Sequence, residues 1–125
     1  MKVRNFTIPI YDYKVTLLII EGPTDADACA KYLAKFKCQK EDVEDVLFDI
    51  KNKCVNGGNT FRNLDMKRFL VVIYPCTSRD VLANILAHEK RHIEDRLLEH
   101  VNIDDIEASA YLSGYLAMHF FKDYK

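Results

Sequence analysis

The stretch FLVVIY at residues 69–74 decides the fold, because its six consecutive apolar side chains leave a strand with no polar face. A strand with one face in water alternates apolar and polar residues, whereas a strand covered on both faces is apolar throughout. We therefore predict a central strand over residues 68–74. Pro75 ends it, because proline cannot donate a hydrogen bond to the ladder.

On the N-terminal side of this stretch, segments rich in β-branched and aromatic residues predict three further strands, at residues 5–10, 14–20 and 59–64. Pro9 places the first of them at a sheet edge or ends it there. Apolar residues at helical spacing predict two helices in between, at residues 24–37 and 41–53.

On the C-terminal side, Thr77 and Asp80 stand three apart, as in a capping box, and predict the start of a long helix over residues 78–99. A last helix is predicted over residues 105–121, antiparallel to the long one because the connection is short. Together these elements predict a single α+β domain over residues 1–125. Its small mixed or antiparallel sheet would pack against the long helix and the antiparallel helix that follows.

The bulk composition excludes several classes of protein. The 125 residues carry a net charge of −1, without the excess of Lys and Arg that nucleic-acid binding requires. The longest apolar run, near residues 15–20, is too short to cross a bilayer, and no signal-peptide pattern opens the chain. The four cysteines form no CxxC pair. We therefore expect a cytoplasmic protein with reduced thiols that binds neither nucleic acid nor membrane.

The motif that indicates chemistry is HEKRH at residues 88–92, an HExxH pattern on the predicted long helix. Residues four apart lie one turn apart on the same face, so the imidazoles of His88 and His92 can bind one metal ion. Glu89 lies beside the pair, where its carboxylate can accept a proton from a metal-activated water. The motif predicts a zinc site with Glu89 as general base.

Two charged residues inside the motif, Lys90 and Arg91, are unusual for an active zinc peptidase. Cations beside a divalent metal weaken its binding unless their side chains point elsewhere. At 100° per residue both positions point away from the line of the two histidines, and we expect both side chains on the solvent face. These two charges argue against catalysis more than they argue against metal binding.

A catalytic zinc site has three protein ligands, and the long helix supplies only two of them. Asp95 and Glu99 lie too far along the axis to share an ion with both histidines, and Glu94 points to another face. The third ligand must therefore come from another segment, for which the candidates are His100, Asp104, Asp105 and Glu107. An antiparallel final helix favours Glu107, although Asp104 and Glu107 also have the spacing of a capping box.

The stretch HEKRH at 88–92, followed by IEASAYLSGYL at 106–116, resembles small zincin-like proteins carried by phages and other mobile elements. In these minimal gluzincins an HExxH helix is followed by an Ala- and Tyr-rich helix of the form EAxAYLxGYL. The sequence IPIYD at residues 8–12 is similar to their start. The resemblance implies a zincin-like fold with His88, His92 and Glu107 as zinc ligands, Glu89 as general base and Tyr111 as a donor to a developing oxyanion.

Two functions are compatible with these residues. The first is a gluzincin-type, zinc-dependent metallopeptidase that hydrolyses peptide bonds of a peptide or protein substrate with a metal-activated water. The second is a catalytically inactive zincin-like binding or accessory module of a mobile element, in which zinc has a structural role. The charged motif positions, Lys90 and Arg91, favour the second function, and the complete set of catalytic residue types favours the first.

Overall fold

The structure, a computed structural model, describes residues 1–102 and 105–122 and contains four strands and four helices. Their bounds, in chain order, are β1 Lys2–Ile8, β2 Tyr13–Ile19, α1 Ala26–Phe36, α2 Lys40–Lys51, β3 Gly58–Asn63, β4 Arg68–Ile73, α3 Arg79–His100 and α4 Ile106–Phe120. The prediction of an α+β chain is confirmed. None of the helices in the described part of the chain has the length and apolar character that a membrane span requires.

The four strands form one mixed sheet in the order β1-β2-β4-β3. The central strands β2 and β4 are parallel, with Val15 opposite Phe69, while β1 and β3 are antiparallel to their neighbours. Every residue from Phe69 to Ile73 is at most 1% exposed, which confirms a central strand buried on both faces. The two edges of the sheet are therefore β1 and β3.

Helices cover both faces of the sheet, and each face has its own apolar core. On one face Leu70 and Val72 of β4 pack with α1 and α2. On the other face Phe69, Val71 and Ile73 pack with α3 and α4. Burying a side chain of this size stabilises a fold by about 1.5–3 kcal/mol. The alternating residues of β4 therefore stabilise the packing of both helix layers against the sheet.

The predicted elements all exist, and most of their ends agree with the structure within two residues. The exception is β1, which begins at Lys2 and not at residue 5, and which ends just before Pro9 at the edge of the sheet.

The predicted cap of the long helix is wrong by one residue. Ser78 is the cap and accepts a hydrogen bond from the Val81 amide at 3.2 Å, whereas the Thr77 hydroxyl contacts Asn56.

Helices α3 and α4 run antiparallel, as predicted. Lys90, midway along α3, contacts Ser113 of α4, while Leu98 near the end of α3 shares a surface groove with Ile106. The carboxylate of Asp105 caps α4 by accepting bonds from the amides of Glu107 and Ala108. The alternative cap and ligand at Asp104 lies outside the described residues.

Candidate metal centre

The helix α3 brings the two histidines of the motif together as its geometry requires. The Nε2 atoms of His88 and His92 are 3.2 Å apart, and their rings meet edge to face. Two imidazoles bound tetrahedrally to one zinc ion, with Zn–N distances of about 2.0–2.1 Å, have their nitrogens about 3.3 Å apart. The observed separation therefore fits two ligands of one ion, and both side chains are exposed enough to admit it.

Glu89 is the buried member of the group, with only 3% of its surface exposed. Its carboxylate lies with the two imidazoles in a cluster whose ligand atoms are all within 4.8 Å of one another. Burial raises the pKa of Glu89, while His92 and His88 lower it. Its Oε2 atom has no hydrogen-bond partner among the residues that the structure describes. A buried carboxylate oxygen without a donor is costly, so this position favours a cation or a proton supplied from outside the chain.

The group lies in a cleft of about 340 Å³ between α3 and the edge strand β3. The lining side of β3 is formed by the alternate residues Gly58, Thr60 and Arg62. A Cβ atom on Gly58 would lie 3.1 Å from Cγ of Glu89 and 2.9 Å from the Val72 carbonyl oxygen. Only glycine therefore allows the strand to approach Glu89 this closely.

The charged motif residues lie away from the cleft, but only one of them lies in solvent as expected. Arg91 is exposed and pairs with Asp95. The expectation for Lys90 is wrong: its side chain is only 13% exposed, forms an ion pair with the buried Glu94 and donates to the Ser113 hydroxyl at 2.9 Å. The charge of Lys90 is thus neutralised inside the α3–α4 interface, on the side of α3 opposite His88.

The structure does not bring Glu107 to the histidine pair. Glu107 is an exposed residue in the first turn of α4, and the group of ligand atoms within the described residues consists of His88, Glu89 and His92. The physical reason is the side of α3 against which α4 packs, because Lys90 and Glu94 face α4 while the histidines face the β3 cleft. The role of Glu107 as third ligand stays a prediction.

Three other candidates also lie outside the cleft. Tyr111 is 58% exposed on α4, and its proposed contact with an oxyanion stays untested. His100 ends α3 and stands edge-on to the ring of Tyr13. Asp105 is occupied as the cap of α4.

Among the described residues, the cysteines are all free thiols, with Cys29 buried and the others partly buried, as expected.

Sequence reasoning did not assign to the site the residues that complete the cleft, namely Gly58, Asn59, Thr60, Arg62, Phe69 and Arg96. Arg96 could have been found, because it lies four residues after His92 on the same face of the helix. Arg62 could not, because its place depends on β3 being the strand next to α3.

Comparison of the chain with protein-family models, with curated proteins and with solved structures gives no match.

Proposed function

We propose that this protein is a zinc-dependent metallopeptidase of the zincin type, with His88 and His92 as metal ligands and Glu89 as general base. The observation that carries the proposal is the arrangement of these three side chains, with the two Nε2 atoms 3.2 Å apart and a buried carboxylate oxygen beside them that lacks a partner. Two neutral imidazoles with an adjacent carboxylate form a donor set that zinc accepts.

When bound, zinc would polarise the scissile carbonyl and make an attacking water more acidic. The chain's own contribution is Glu89, whose burial raises its pKa and makes it a better proton acceptor than an exposed glutamate. Its free Oε2 atom has no competing hydrogen bond to lose before it takes a proton from water. The same carboxyl group can then deliver that proton to the leaving amine.

The substrate would be a peptide or an extended segment of a protein. Within residues 1–102 and 105–122, strand β3 has a neighbour on one edge only, and its Gly58–Asn63 segment runs beside the histidine pair. An extended peptide can pair with such an edge through its main chain, and this would place a peptide carbonyl over the metal ligands. We also infer a cytoplasmic setting, since the four free thiols suit a reducing compartment.

The second candidate is a non-catalytic module with structural zinc, and a specific observation favours it. The described cluster has two histidines and one carboxylate, and Glu107 does not join it. If Glu89 is itself the third ligand, no general base remains. Lys90 no longer argues for this alternative, because its charge is paired away from the cleft.

The test combines metal content with hydrolysis of a peptide library by the purified protein, its Glu89→Gln variant and its Glu107→Ala variant. For a base, Glu89→Gln retains stoichiometric zinc and loses activity by about 10²–10⁴-fold. Loss of zinc in Glu89→Gln would make Glu89 a ligand and support the structural module. Equal background hydrolysis in wild type and Glu89→Gln would contradict the peptidase, and full zinc in Glu107→Ala would remove Glu107 from the ligand set.

A further inference from the structure

Two arginines line the same cleft as the histidine pair. Arg96 lies on α3 four residues beyond His92, and Arg62 lies on β3 two residues beyond Thr60, which contacts the Glu89 carbonyl. Phe69, the register partner of Arg62 in β4, lines the cleft with them. Four helical residues rise about 6 Å and two strand residues about 6.6 Å, so Cα of Arg96 lies about 6 Å along α3 from Cα of His92, and Cα of Arg62 lies about 6.6 Å along β3 from Cα of Thr60.

The charges at this end of the cleft are poorly balanced within the chain. The guanidinium group of Arg62 has no hydrogen bond or ion pair to any residue that the structure describes. Arg96 has only a 3.6 Å contact with Glu99, and both side chains are well exposed. Among the described residues that line the cleft, Glu89 is the one acid, and it belongs to the histidine group. Two guanidinium groups that line one cleft, with no further acid in its described lining, can bind an anion.

We infer that Arg62 and Arg96 form a subsite for a substrate carboxylate, so that the protein acts on peptides with an anionic group one or two residues from the cleaved bond. The inference rests on the proposed function, because it places the scissile carbonyl at the histidines. A peptide paired with β3 advances about 3.3 Å per residue, and it reaches the arginines within two residues. The carboxylate belongs either to an Asp or Glu side chain or to the C-terminus of the peptide.

The experiment uses the full-length, zinc-loaded protein and matched fluorogenic peptides that carry Glu or Gln at each of the two positions on either side of the cleaved bond. A second pair of peptides has a free or an amidated C-terminus. We expect kcat/KM to favour the carboxylate at one position by about 10-fold or more, and this ratio to fall toward one in Arg62→Gln and Arg96→Gln. Arg91→Gln is the matched control, since Arg91 lies on the same helix outside the cleft and should keep the ratio.

Binding of the same peptides to zinc-loaded Glu89→Gln, followed by fluorescence anisotropy, separates this inference from the proposed function. A carboxylate preference in binding that Arg62→Gln abolishes would support the subsite even if nothing is cleaved. Cleavage without any preference would overturn the subsite and leave the peptidase standing. A preference that survives in both arginine variants, or that Arg91→Gln also abolishes, would overturn the subsite as well.

Discussion

Charged residues lie on both sides of α3, and they find partners within the chain on one side but not on the other. Toward α4, Lys90 pairs with Glu94 and donates a hydrogen bond to the Ser113 hydroxyl, largely out of water. Toward β3, Glu89 keeps a buried oxygen without a partner and Arg62 has no ion pair among the described residues. The α4 side of the helix therefore pairs its charged groups within the chain. The cleft side leaves the Glu89 oxygen and the Arg62 guanidinium without a partner among the described residues, as the proposed metal and anion sites require.

The largest effect is expected from removing one member of the buried Lys90–Glu94 pair. Glu94→Ala leaves the Lys90 ammonium uncompensated in the α3–α4 interface, and we expect a loss of about 3–5 kcal/mol in the free energy of unfolding, measured with urea. Asp95→Ala is the matched control on the same helix. It removes the exposed partner of Arg91 and should cost about 0–1 kcal/mol. Equal losses in the two variants would show that the α4 side of the helix is not held by its ion pair.

A smaller effect is expected on the cleft side, from the glycine that lets β3 approach the helix. Gly58→Ala places a methyl group 2.9 Å from the Val72 carbonyl oxygen and 3.1 Å from Glu89. The strand must shift, so we expect a loss of about 1–3 kcal/mol in stability together with reduced zinc affinity, measured by urea unfolding and by zinc titration.

Gly114→Ala is the control for this substitution, because no described residue beyond its chain neighbours and the nearby backbone of its own helix lies within 4 Å of the position that its Cβ would take. In the interior of a helix the change should stabilise the protein by about 0.5–1 kcal/mol and leave zinc affinity as it is. A Gly58→Ala variant as stable as wild type would mean that the close approach of β3 to Glu89 is not needed.

The sequence predicts the layers of this fold better than their arrangement. The run at residues 69–74 identifies the central strand because an apolar strand must be covered on both faces. It does not indicate which strands are its neighbours. The edge position of β3, and with it the contribution of Arg62 to the cleft, depends on the parallel pairing of β2 with β4 across a long connection.

The candidate site divides in the same way. The pairing of His88 and His92 follows from helix geometry alone, because residues four apart share a face, whereas the burial of Glu89 depends on the approach of β3. The face that α4 presents does not follow from its sequence, since this helix is apolar nearly all round. Leu112 and Leu116 are buried while Ile106 and Tyr111 are exposed. Without a polar stripe to orient α4, the sequence could not decide whether Glu107 faces the histidines.

The smallest predicted effect is a pH dependence of stability that arises from His119, whose ring packs against an aromatic side chain. His119 stacks on Phe6 with ring centroids 4.3 Å apart, and burial lowers its pKa, with a further lowering by Lys122. The folded state therefore prefers the neutral ring, whereas the unfolded chain takes up a proton near pH 6.5. Stability from this group is present above about pH 6.5 and is lost as the pH falls through the lower pKa of the folded state.

His119→Phe keeps an aromatic ring against Phe6 and removes the titration. Urea unfolding of both proteins at pH 7.5, 6.5 and 5.5, values chosen to bracket the histidine pKa of about 6.5, should show wild type losing stability relative to the variant on acidification. Lys122→Gln should reduce that loss, because it removes the second cause of the lowered pKa. A difference that does not change with pH would mean that the stacked ring of His119 accepts a proton as readily as an unfolded histidine.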